Sequence, residues 1–186
     1  MLTIQRAAAT VALLAVGVWL GGLVVLGAIA APLIFSRVSF PSNADAMTAV
    51  FRRFDLLAMS CAAILLASEA VRAVVRPSFA PLDYARAGTS ILAASLAVFE
   101  GTHVSARIAE LHAAGAVRGL GGDGMELSQL HDWAEWCGMA QIGLLAAVVV
   151  LQVLALSSIR GPRWPPESGD GQKLRSPRAT ERAESS

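Results

Sequence analysis

The chain has 186 residues, 55% of them hydrophobic and only 16% charged, with 15 Lys and Arg against 14 Asp and Glu. Soluble domains of this length carry charge on about a quarter of their residues, so an ordinary soluble domain is excluded. A net charge of +1 argues against a nucleic-acid partner, and four long apolar stretches leave no room for a soluble catalytic domain.

The first stretch, residues 7–35, contains no charge over 29 residues, against the about 20 that cross a hydrocarbon core. Pro32 lies near its end. Arg6 ahead of the run and Ala28-Ile29-Ala30 within it resemble a secretory signal. About 21 residues precede that small-residue site, more than a signal core of roughly 7–15 needs, so the segment is expected to be retained as a span.

Residues 36–55 place Met47, Val50, Phe51 and Phe54 at three- and four-residue steps, with Arg52, Arg53 and Asp55 between them. This spacing predicts an interfacial helix or the start of the second span. That span is read over residues 56–75, ending before Arg76-Pro77 because the residue ahead of a proline is biased out of helix. The third span has a charge-free core of only 13 residues, 87–99. It crosses only if extended over about 82–106, which puts Glu100 and His103 at membrane depth.

Five glycines between residues 115 and 124 predict a flexible connector with no phosphate-loop pattern. The fourth span is read over residues 133–159, uncharged from 140 to 156 and holding the amides Gln141 and Gln152. Residues 160–186 turn to Pro, Ser, Glu and Arg, the composition of a disordered tail. No internal repeat is present.

The basic residues set an expected orientation. Arg6, Arg72, Arg76, Arg86, Arg160, Arg163, Lys173 and Arg175 fall on the face of the two termini, against Arg37, Arg52, Arg53, Arg107 and Arg118 on the other. Both termini are therefore expected in the cytoplasm. Fourteen Arg to one Lys, with abundant Ala, suits a GC-rich bacterium, hence a bacterial plasma membrane.

Polar residues inside spans are the candidate functional groups. Glu69 and Arg72, at i and i+3, form an intramembrane ion pair, read first as local neutralisation with Arg72 reaching toward the interface. Glu100-x-x-His103 and His131-x-x-x-Glu135 each place two polar groups on one helix face, at span ends joined by the third loop. The four are expected to converge. Their plainest role is a hydrogen-bonded interhelix clamp. Sharper readings are a single Zn, Mn or Fe ion on Glu100, His103, His131 and Glu135, a haem between His103 and His131, or proton exchange through His103 and Glu100. No haem-attachment or paired-cysteine motif supports a cofactor, and none is assigned.

His112 reads as a solvated side chain. Trp19, near the middle of the first span, is expected to direct its ring N–H to a partner inside the bundle, whereas Trp133 and Trp136 sit where an aromatic belt belongs. Gly17-x-x-x-Gly21 permits close helix approach, either within the bundle or with a second copy of the chain. Cys61 and Cys137 are isolated in apolar sequence, as reduced buried thiols. No nucleophile-base arrangement is present, so no enzyme is expected.

Trp19-Leu20-Gly21-Gly22 leading to Ala31-Pro32-Leu33-Ile34-Phe35, then Phe51-Arg52-Arg53-Phe54-Asp55 and residues 65–72, carry a resemblance. So do residues 104–111 and Leu130-His131. Over about residues 10–158 the chain resembles bacterial relatives of eukaryotic transmembrane protein 205, a four-span family with a domain of unknown function. The resemblance implies a membrane fold and no catalytic residues. Relatives often have a proline where this chain has Ala106, so the kink such a proline would impose is not expected here.

The sequence thus predicts an all-α, integral membrane four-helix bundle with a disordered C-terminal tail, in contact with the lipid bilayer. The leading functional expectation is small-solute or ion transport, or a permeability-related role. The alternatives are a structural or partner-binding protein with a polar clamp, and a metal- or haem-binding membrane protein.

Overall fold

The computed structural model describes residues 2–39, 42–75 and 80–158. They form helices α1 (Leu2–Val25), α2 (Ala31–Arg37), α3 (Ser42–Val75), α4 (Pro81–Phe99), α5 (Ser105–Ala113) and α6 (Gly121–Ser158), with no strand among them. Two π-helical turns, Leu26–Ala30 and Glu100–Val104, join α1 to α2 and α4 to α5. The result is four rods.

Each π turn closes with an i→i+5 bond, from Ala31 N–H to the Leu26 carbonyl and from Ser105 N–H to the Glu100 carbonyl. The first has an evident cause in Pro32, which lacks an N–H and whose ring crowds the carbonyl four residues earlier; a wider turn accommodates both.

The rods pack in a ring, α1 beside α3 and α6, and α4 beside the same two. Their common core is built from Ala12, Ala15, Val16 and Trp19 of α1, Ala58, Cys61, Ala62 and Leu65 of α3, Ala93, Ala94 and Ala97 of α4, and Leu145 and Val148 of α6. These recur at three- and four-residue steps, one stripe per helix. Small side chains let the backbones approach, as is usual between helices in lipid. Leu14, Val74 and Val150, by contrast, are 65%, 87% and 57% exposed. A rod with its small residues inside and its large apolar residues outside has a hydrocarbon solvent.

Three helices are long and apolar enough to cross a membrane: residues Thr3–Arg37, Ser42–Val75 and Gly121–Ala155. They belong to a multi-pass membrane protein. The third rod is not among them, because Thr89, Ser90, Glu100, Thr102 and His103 dilute its apolar run. At about 1.5 Å per residue, the 34 residues of α3 extend roughly 50 Å, well beyond a hydrocarbon core of about 30 Å.

Three helices run beyond the stretches read as spans. Residues 42–55 continue directly into the second rod rather than forming a separate interfacial helix. The glycine-rich connector is shorter than expected, since α6 begins at Gly121, twelve residues ahead of 133. Gly115 and Gly119 carry the left-handed backbone of the connector itself, with φ of 79° and 81°. Gly124, in the first turns of α6, lies against the Val117 carbonyl where a Cβ would not fit. The third rod extends to Ala113, seven residues past 106. The predicted tail, residues 160–186, lies outside the described residues.

Candidate functional site

Two polar centres occupy the ring's interior, at different heights. The first lies where α3 ends and α4 begins. Pro81 opens α4 at a position that needs no N–H, and the Asp83 carboxylate accepts the Ala80 N–H at 3.0 Å through Oδ2. That cap fixes Asp83, whose Oδ1 accepts from Arg86 Nη1 at 3.0 Å. The rest of the Arg86 guanidinium turns to Glu69, with Nε to Oε1 and Nη2 to Oε2 both at 2.9 Å, a bidentate pair. Glu69 Oε1 also accepts from Arg72 Nη1 at 3.1 Å.

Arg72 Nη1 reaches the Gln152 Oε1 of α6 at 2.7 Å, and Gln152 Nε2 donates to the Ala9 carbonyl of α1 at 3.1 Å. One network therefore ties all four rods. Two cations and two carboxylates cancel, and Arg72, Asp83, Arg86 and Gln152 are all buried. The expected Glu69–Arg72 pair exists, yet the stronger partner of Glu69 is Arg86.

The second centre sits at the π turn of the third rod. Trp19, fully buried, donates its indole N–H to Gln141 Oε1 at 3.1 Å. With its carbonyl so engaged, the Gln141 amide, 1% exposed, presents its NH2 to Glu100, and Nε2 donates to Oε2. Asp55 of α3 approaches the same turn. A Cβ built on Gly101 would lie 3.2 Å from the Asp55 Cβ, a tight approach at which any side chain here would press on Asp55. The Ser105 hydroxyl and Arg52 are the other polar groups acting on Asp55, while the charge acting on Glu100 is that of Asp55. Asp55 Oδ2 is buried and accepts no hydrogen bond.

The expected convergence of Glu100, His103, His131 and Glu135 is not what the structure contains. Glu100 turns inward to Gln141, but His103 is exposed and lies against Phe99, ring centroids 5.7 Å apart. The π turn is the reason: an i, i+3 spacing that aligns side chains over an α-turn falls further short of a full turn when the turn is wider. Glu135 is exposed on the outer side of α6.

His131 places Nδ1 2.8 Å from the Leu127 carbonyl and meets His112 edge-on at 5.9 Å between centroids. His112 is thus part of a histidine contact rather than freely solvated. Burial and the neighbouring His131 hold its imidazole below the usual histidine range, against the opposing pull of Asp45. Among the described residues no group of three or more His, Cys, Asp or Glu side chains is placed to hold a metal ion. The four-ligand site and the haem bridged by His103 and His131 both lose their geometry.

Trp133 and Trp136 are exposed together beside Gln129 and Asp132, along an open groove of about 560 Å³. Gly17 and Gly21 point outward, with open space where a Cβ would stand, and take no part in packing within the ring. Gly22 is different. A Cβ there would lie 2.5 Å from the Phe54 ring, so the two short motifs around Trp19 and Phe54 interlock.

Sequence reasoning missed Asp83, Arg86, Asp55 and both glutamines as site residues. One signal was available: Asp83 and Arg86 stand at i, i+3 just after Pro81, a capping residue and a cation on one helix face.

No curated protein and no solved structure matches the chain. Residues 14–116 match a family model described as a domain of unknown function, DUF4149. The match includes Trp19, Asp55, Glu69, Arg72, Asp83, Arg86 and Glu100, and stops short of Gln141 and Gln152 in α6. It spans more than half of the sequence, and the chain belongs to the DUF4149 family.

Proposed function

We propose that this is a four-span protein of a bacterial plasma membrane, with both termini cytoplasmic, that moves a small solute or ion through its interior. One observation carries the reading: Glu100 is turned into the ring and held there by Gln141, while its charged neighbour is another acid, Asp55. A carboxylate costs about 2.5 kcal/mol or more at membrane depth, and the cheaper orientation beside exposed His103 is not used. A third rod made polar by such residues fits a crossing segment that serves the interior rather than the lipid. Kinship with the bacterial relatives of transmembrane protein 205 is part of the proposal and rests on the sequence motifs around Trp19 and Phe54 alone.

A second reading, a structural or partner-binding protein, is favoured by the Glu69–Arg86 network, which is charge-balanced and joins every rod. Reconstitution separates the two. In vesicles loaded with a pH-sensitive dye and given a pH gradient, the full chain is expected to dissipate the gradient, and Glu100→Gln to do so no faster than protein-free vesicles. Equal dissipation with and without the wild-type protein, repeated with gradients of common cations, would leave the structural reading in place.

A further inference from the structure

We propose that Asp55 and Glu100 form a proton-binding site, in which the two carboxylates hold one proton between them. The site rests on the proposed interior pathway, although its chemistry is testable whether or not anything is transported. Every rod contributes to it. From α1, the Trp19 indole orients Gln141; from α6, the Gln141 amide donates to Glu100, with the Cys137 thiol in electrostatic range. From α3 comes Asp55, and from the third rod the π turn brings Gly101 and Ser105 against it, with Glu100 in electrostatic range.

The groups facing the pair are thus an amide, a hydroxyl and a thiol. The cation acting on Asp55, Arg52, has an exposed side chain and is screened accordingly. Two carboxylates that share a poorly solvated space without a buried cation do not both ionise; the second charge is relieved by a proton held between them.

Gln141 decides where that proton sits. Its NH2 faces Oε2 of Glu100 and its carbonyl faces the Trp19 indole, so toward Glu100 the amide acts as donor and not as acceptor. The other Glu100 oxygen is left for the proton. Asp55 Oδ2, buried and without a donor, is the acceptor that a proton would satisfy. Gly101 leaves the Asp55 side chain room against the turn, and the π turn, a feature that recurs at functional positions, is where Glu100 meets Gln141. This arrangement differs from the Glu69 centre, where arginines already neutralise the carboxylates and no proton is required.

Carbodiimide labelling tests the site, because the reagent adds to protonated carboxyl groups in apolar surroundings. The full chain in detergent, treated with dicyclohexylcarbodiimide at neutral pH and mapped by peptide mass, is expected to carry the adduct on Glu100 or Asp55 and to lose it in alkali. Glu100→Gln is expected to remove the label from position 55 as well, since the proposed proton is held by the pair and not by Asp55 alone. Asp55→Asn should likewise clear position 100. Retention of the label on the remaining acid in both variants would overturn a shared proton.

Infrared spectroscopy covers the case of a reagent that cannot enter. The carbonyl band of a protonated carboxyl group, present in the wild type at neutral pH and lost in either variant, is the expected result; its absence from the wild type overturns the site regardless of labelling. Trp19 emission and size-exclusion profile serve as folding controls for both variants. Labelled protein that dissipates no gradient would sink the transport reading alone.

Discussion

The two polar centres differ in how their charge is settled. At the α3–α4 end, Glu69, Asp83, Arg72 and Arg86 neutralise one another through bonds that leave each carboxylate occupied. At the π turn, Glu100 and Asp55 face amide, hydroxyl and indole-oriented groups with no buried cation between them. The first centre is therefore a fixture that costs stability when any member is removed. The second is where we propose a proton that can leave without dismantling the rods, and substitution should separate the two.

The largest effect is expected at Glu69. Glu69→Ala leaves two buried arginines facing Asp83 alone and should destabilise the protein by about 3–5 kcal/mol, read as a lower thermal midpoint in detergent. A midpoint unchanged from wild type would show that the network contributes nothing net. Gly101→Val comes next: with the Asp55 Cβ only 3.2 Å from the added carbon, a cost of about 1–3 kcal/mol is expected, with a change in carbodiimide labelling that Glu69→Ala does not produce.

Trp19→Phe keeps most of the packing but strips the indole donor from Gln141, for roughly 1 kcal/mol. Its sharper sign is a freed amide that lets Glu100 reorient. The smallest effect concerns pH and lies outside both centres. Folded His112 binds its proton more weakly than the unfolded chain does. Stability should then be intact above the unfolded histidine pKa of about 6.5 and fall as the pH drops below it. His131→Gln should flatten that fall, and an equally steep fall in the variant would remove His131 as a cause.

Much of the fold was legible because bilayer length and apolar periodicity act on single segments. The first rod, the second from residue 56 and the fourth from 133 follow from that arithmetic alone. Missing were the helix extensions, as at Gly121, where Gly-rich sequence reads as loop although α6 has begun there and Gly124 lies against the Val117 carbonyl. The ion pair Glu69–Arg72 was visible as a local spacing; its bond to Arg86, 17 residues away across a turn, was not. Glu100 was singled out by its place in a short span, but its partners were assigned by assuming an unbroken α-helix. A π turn leaves no composition signal, and it moved His103 to the outside.

The Glu69–Arg86 bond also fixes an order of events during synthesis. Before α3 is in place, α4 carries Asp83 and Arg86 with only each other as neutralising partners, and a bilayer resists an unneutralised arginine by about 2.5–3.5 kcal/mol. With α3 alongside, Glu69 meets that guanidinium through two bonds at 2.9 Å. The second and third rods therefore enter lipid most cheaply as a hairpin, already paired. A chain that stopped after α3 would leave Glu69 without Arg86 and Arg72 without Gln152, so the charge balance of the second rod is completed only by the rods that follow it.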